Sequence, residues 1–123
     1  MVTAEAERTR RSKGAVVEAL AAEALRMRLF PGIAFRGIDW DRRAWVTGTS
    51  LDVWEIVLAA RDFDSIEQMV AESDLGERHI RLALAYHERF PTEIDDAIAR
   101  AQRTLDQLHS AYPTIDVVPT AAR

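Results

Sequence analysis

A mainly α domain carrying one short β-hairpin is the fold class this chain predicts, on three observations. Apolar residues recur at helical spacing from Val16 to Leu29 and again, in separate runs, from Leu51 to Leu108. Between Ile33 and Thr49 the period changes to two, which is the alternation of a strand with one buried face. Strong breakers, Phe30-Pro31-Gly32, Asp74-Leu75-Gly76 and Pro91-Thr92, then cut the chain into short pieces.

The first piece is a helix with Ser12 as N-cap, running to about Leu29 on Val16, Val17, Leu20, Leu25, Met27 and Leu29 with alanines between. Pro31 ends it, because proline removes a donor and disfavours αR in the residue before it. Ile33, Phe35 and Gly37, then Trp45, Thr47 and Thr49, alternate around a polar centre with Asp39 and Asp41, predicting strands near 33–38 and 44–48. Trp40 near the tip is expected to pack, since a buried aromatic removes much apolar area from water.

Thr49 or Ser50 is the expected cap of a helix over about 51–61, with Val53, Trp54, Ile56, Val57 and Leu58 as its apolar face. Ser65 with Gln68 three residues on matches a capping box for a helix over about 66–72. The next runs over about 77–90 through Ile80, Leu82, Leu84, Ala85 and Tyr86. Thr92 is the expected cap of the last, whose stripe is Ile94, Ile98, Ala101, Leu105 and Leu108, ending near Ala111. The remainder, with two prolines and no period, reads as an extended arm.

Length and composition describe one domain, or one compact domain with an arm. The 123 residues match the size of a single core, and 48% hydrophobic with 29% charged residues is ordinary globular composition. Zero cysteines exclude disulfides, thiolate metal sites and a cysteine nucleophile. No apolar run reaches the ~20 residues of a membrane span, and the charged N-terminus lacks the apolar stretch of a signal peptide, so a cytoplasmic protein with no membrane partner is expected.

Charge is divided unevenly. Residues 1–45 hold nine Lys/Arg against six Asp/Glu, and residues 46–123 seven against fourteen, so a +3 front and a −7 back give the net −4. One end suits phosphate and the other a basic protein, although solvated faces produce the same imbalance.

No enzyme signature emerges. His79, His87 and His109 form no H-x-x-x-H pair and have no carboxylate at ligand spacing, so neither metal nor cofactor is expected. Glu93, Asp95 and Asp96 fall on the exposed start of a helix, where negative charge offsets the dipole. The five glycines form no phosphate loop.

The stretch from Ser65 to Phe90 has the dimensions of a helix-turn-helix, which with the hairpin makes a winged-helix-like three-helix core. Its second helix would present Glu77, Arg78, His79 and Arg81 at its start, where DNA readers meet base edges. The competing reading is a packing and dimerisation element. At the front, Glu7-Arg-Thr-Arg-Arg-Ser-Lys13 followed by Ala15-Val-Val-Glu-Ala-Leu20 resembles the second helix of ribbon-helix-helix repressors. There Arg8, Arg10, Arg11, Ser12 and Lys13 would hold phosphates at a helix start. The base-reading strand of that fold is absent, so either the chain is clipped or the helix only dimerises and anchors.

Four stretches, Thr47-Gly-Thr-Ser-Leu-Asp-Val-Trp54, Asp64-Ser-Ile-Glu-Gln-Met69, His79-Ile-Arg-Leu-Ala-Leu-Ala-Tyr86 and Phe90-Pro-Thr-Glu-Ile-Asp-Asp96, keep one order and spacing over about half the chain. They resemble the small bacterial domain-of-unknown-function family that includes VapB-type antitoxins, encoded beside PIN or PIN-like ribonuclease toxins. The sequence departs from that pattern at Ser50-Leu51, where the family has Arg-Ile. The resemblance implies a homodimer that represses its own operator and inhibits a ribonuclease toxin through its C-terminal part. Joined to the reading of the residues, it makes the tail a segment that folds on binding, with Tyr112, Ile115, Val117, Val118 and Arg123 as toxin anchors. The order of patterns divides the chain into three regions: an N-terminal arm and helix (1–31), a hairpin plus helix-turn-helix domain (32–111), and a flexible tail (112–123). The alternatives are a stand-alone DNA-binding regulator and a dimerisation or adaptor module that touches no nucleic acid.

Overall fold

The computed structural model describes residues 13–38 and 40–112. Their order is α1 (Lys13–Leu29), β1 (Ile33–Arg36), β2 (Arg43–Val46), α2 (Val53–Ala60), α3 (Ile66–Glu72), α4 (Glu77–Arg89) and α5 (Pro91–Ala111). The fold is mainly helical with one two-stranded antiparallel hairpin, as the sequence patterns predict. No helix among the described residues is long and apolar enough to cross a membrane.

The hairpin pairs Ile33 with Val46, Ala34 with Trp45, Phe35 with Ala44 and Arg36 with Arg43. Its inner face carries Ile33, Ala44 and Val46, all buried, and its outer face carries Arg36, Arg43 and Trp45. Both strands are shorter than expected. Gly37 departs from the ladder at φ +112, a conformation glycine adopts without a Cβ penalty. Trp40 does not pack: it stands 72% exposed at the hairpin tip, outside the reach of the core.

α2 lies at the centre and packs chiefly on α4, then α5. Its Val53, Ile56, Val57 and Ala59 join Met69 of α3, Ile80, Ala83 and Tyr86 of α4, and Ile94 and Ile98 of α5 in one core. Burial of this kind is worth roughly 1.5–3 kcal/mol for each large aliphatic side chain, so the core accounts for most of the driving force.

Three helix starts differ in instructive ways. Ser65 caps α3 as expected, its Oγ accepting from Gln68 N at 3.0 Å, while Gln68 Oε1 accepts from Asp64 N. α2 is capped by Asp52, not by Thr49 or Ser50. Thr49 Oγ1 is occupied in the turn, donating to Val46 O at 2.8 Å and accepting from Leu51 N at 3.1 Å. α5 begins at Pro91 with Phe90 at the N-cap, not at Thr92. Proline fits the first helical position because the N–H it lacks would have no partner there.

Candidate functional site

Two polar centres are built into this frame. Around Asp52, the cross-strand pair Arg36 and Arg43 places like charges side by side, an arrangement that repels unless neutralised. Asp52, only 4% exposed, stands between them. Its Oδ1 accepts from Arg36 Nε at 2.9 Å, and its Oδ2 accepts from Arg43 Nε at 2.8 Å and Trp54 Nε1 at 3.2 Å. The backbone N–H of Asp52 donates to Glu55 Oε1 at 3.0 Å. Arg36 also lies over the Trp45 ring, 4.9 Å from its centroid. The hydrogen bond to Asp52 outweighs desolvation and holds the Arg43 guanidinium above its ordinary value. These contacts lock the hairpin onto the start of α2.

The second centre joins α1, α4 and α5. Arg26 donates to Glu93 and, at 3.0 Å, to the Tyr86 hydroxyl, which itself donates to Glu93 Oε2 at 2.7 Å. Phe30, Tyr86 and Phe90 stack around it with centroids 4.9–6.1 Å apart, and Arg26 sits 4.1 Å over Phe90. Burial works against the Arg26 charge, but the hydrogen bonds to Glu93 and Tyr86 more than offset it and raise its pKa. Burial, reinforced by the bond to Glu93, pushes the Tyr86 phenol well above its ordinary range. Glu93 therefore does more than face the helix dipole from an exposed first turn: it anchors α1 to the core. His87, on the same helix as Tyr86, pairs with Asp95 at 2.8 Å, a carboxylate eight residues away that only the α4–α5 turn brings close.

The residues expected to meet DNA are placed unequally. Lys13, Arg78 and Arg81 are exposed. Arg81 Nε donates to Glu77 Oε2 at 2.9 Å, one turn back, and this contact raises its pKa. Arg78 forms no ion pair with any described residue. His79 does not project outward. It is half-buried against the hairpin end, where a Cβ on Gly48 would lie 3.1 Å from its Nε2. It also lines an open cleft of about 360 Å³ with Gly48, Leu51, Phe63 and Leu75. Arg8, Arg10, Arg11 and Ser12 lie outside the described residues.

Of the C-terminal anchors, only Tyr112 is described, 55% exposed at the end of α5; Ile115, Val117, Val118 and Arg123 lie outside the described residues. The stripe on α5 runs off the core as it goes. Ile94 and Ile98 are buried, Ala101 and Leu105 half-buried, and Leu108 exposed at 45%. Among the described residues no three His, Asp or Glu side chains converge as metal ligands.

Sequence reasoning missed both polar centres. Their partners are separated by up to 67 residues, and the hint, an acid at a helix start opposite arginines in strands, has meaning only once the hairpin register is known. No family model, curated protein or solved structure matches the chain.

Proposed function

We propose that the protein is the antitoxin of a type II toxin–antitoxin pair, binding and inhibiting a PIN or PIN-like ribonuclease and repressing its own operator as a homodimer. The observation that carries this reading is the α5 stripe. A helix whose apolar face is buried at Ile94 and Ile98 and open at Leu108 and Tyr112 offers a ready anchor for a partner groove. α5 itself holds four Asp/Glu against two Lys/Arg, and an acidic helix suits a ribonuclease surface that must attract RNA phosphates.

The DNA part of the reading rests on α3, the four-residue turn 73–76 and α4, taken as a helix-turn-helix with the hairpin as its wing. Arg78 in the first turn of α4 is exposed and unpaired among described residues, a suitable donor to a guanine edge or a phosphate. Lys13 and the arginines before it would add phosphate contacts. A stand-alone DNA-binding regulator is the second reading, favoured by the same Arg78.

Co-purification separates the two. The tagged chain is expressed with the product of its neighbouring gene, with and without residues 110–123. The antitoxin reading expects a small nuclease to come down with the full chain and to be lost on truncation. A chain that captures nothing from that neighbour yet shifts its own promoter DNA would instead be the stand-alone regulator.

A further inference from the structure

α1 presents its two faces very differently. Val16, Glu23, Arg26 and Phe30 turn toward the hairpin and the Tyr86 cluster. The opposite face carries Val17, Leu20, Ala21, Ala24 and Leu25 at i, i+3, i+4, i+7 and i+8, the spacing of a helix stripe made for burial. Yet Val17 is 52%, Leu20 46% and Leu25 57% exposed. No described element covers them.

We infer that this stripe is the interface between two copies of the chain, with the α1 helices packed antiparallel about a two-fold axis near residues 22 and 23. The argument is self-complementarity. Read in either direction, the centre of the stripe is Leu-Ala, two residues, Ala-Leu at positions 20, 21, 24 and 25. A two-fold antiparallel partner therefore presents the same pattern to its mate, as an isologous interface requires. Ala21 and Ala24 fall at the crossing, where small side chains let the helices approach closely, and Leu20 and Leu25 of one copy flank Leu25 and Leu20 of the other.

Charge selects the direction. Glu18 borders the stripe near its start, and Arg28, one turn beyond Ala24, continues it at the far end; both are exposed. Parallel helices would place Glu18 beside Glu18 and Arg28 beside Arg28, whereas the antiparallel arrangement sets each Glu18 near the other copy's Arg28. The helix dipoles favour the same choice. A stripe on a helix 17 residues long is about 25 Å in length, so the contact is at the small end of specific interfaces and the dimer should dissociate on the order of micromolar concentration. The pairing concerns the dimer in the reading above but needs neither toxin nor operator, so its failure is read separately from theirs.

Sedimentation of the full chain from about 1 to 100 µM tests it. A reversible monomer–dimer equilibrium is expected, with Leu20→Glu and Leu25→Glu each weakening it at least about a hundredfold, since every change occurs twice in the dimer. Both sites are exposed, and unchanged circular dichroism confirms folding. Glu18→Arg and Arg28→Glu should each weaken the dimer several-fold, and the double variant should recover it. Because the chain has no cysteine, orientation is read directly: Val17→Cys mixed with Arg28→Cys should oxidise to a cross-linked heteropair, while Val17→Cys alone, its two copies about 16 Å apart along the antiparallel pair, should not cross-link. A chain monomeric at 100 µM, a dimer indifferent to Leu20→Glu, or self-cross-linking of Val17→Cys would overturn the proposal. So would a monomer whose stripe becomes covered only when the neighbouring gene's product binds.

Discussion

The Tyr86 hydroxyl donates to Glu93 Oε2 across 2.7 Å, and the same carboxylate receives Arg26 from α1. One acid thus ties three helices, while its aromatic surroundings exclude water from the phenol. This has a consequence in alkali. Tyr86 titrates above its ordinary value when folded, so the unfolded chain loses the proton first. The contribution is fully present below about pH 10 and is lost as pH rises toward the folded value, with a slope of up to about 1.4 kcal/mol per pH unit. Urea unfolding midpoints measured between pH 8 and 11 should show the decline, and Tyr86→Phe should flatten it.

Replacing Glu93 by alanine removes the partner of both Arg26 and Tyr86. Because Arg26 and Glu93 are each about a third exposed, water compensates in part, and the expected cost is about 1–2 kcal/mol. Glu93→Gln, which keeps an acceptor for Tyr86, should cost less. Denaturant midpoints at constant slope measure both.

Asp52→Ala should destabilise by about 2 kcal/mol, since it strips two charge-assisted hydrogen bonds and leaves Arg36 and Arg43 facing each other across the hairpin. The arginines are more than a third exposed, which limits the penalty of the bared charges. Amide exchange should accelerate in the hairpin before it does in α4. A variant as stable as the parent would show that the hairpin does not depend on this carboxylate.

Gly37 and Gly48 are both at positive φ but are blocked by different neighbours. A Cβ at Gly37 would meet the Asp41 carbonyl oxygen at 2.2 Å, a backbone atom that cannot move cheaply. At Gly48 the neighbour is the His79 ring, 3.1 Å away. Gly37→Ala should therefore cost about 2–3 kcal/mol and Gly48→Ala about 1–2, the latter partly recovered in Gly48→Ala/His79→Ala. Thermal melts of the three variants decide it.

These contrasts also mark what the sequence could disclose. The α3 cap was legible because Ser65 and Gln68 act within four residues of each other. The α2 cap was not. Thr49, Ser50 and Asp52 are all competent caps, and the choice depends on Thr49 being occupied in its turn and on arginines nine and sixteen residues from Asp52. Helical and strand periods located all seven described elements to within a few residues, because amphipathic spacing is a local property. Trp40 and His79 defied their expected directions because orientation depends on what packs opposite. The directions of the α4 side chains were therefore legible only in part: Arg78 is exposed, as its position on the helix implies, whereas His79 is drawn under Gly48.

If α4 meets DNA through its first turn, Arg78→Ala should weaken binding to promoter DNA and reduce the salt dependence of affinity by about one phosphate contact. Arg81→Ala should do less, its guanidinium being held by Glu77. Fluorescence anisotropy at several salt concentrations reads both. Equal losses would place the contact elsewhere on the surface.

In the proposed function, inhibition of a ribonuclease runs through the end of α5 and the residues after it. The measurement that tests it most directly is RNA cleavage by the purified product of the neighbouring gene, titrated with this chain. The account predicts that cleavage falls to background near stoichiometric addition, and that Leu108→Asp/Tyr112→Asp, which alters only exposed positions, leaves the nuclease active. Undiminished cleavage at a large excess of the unaltered chain would contradict it.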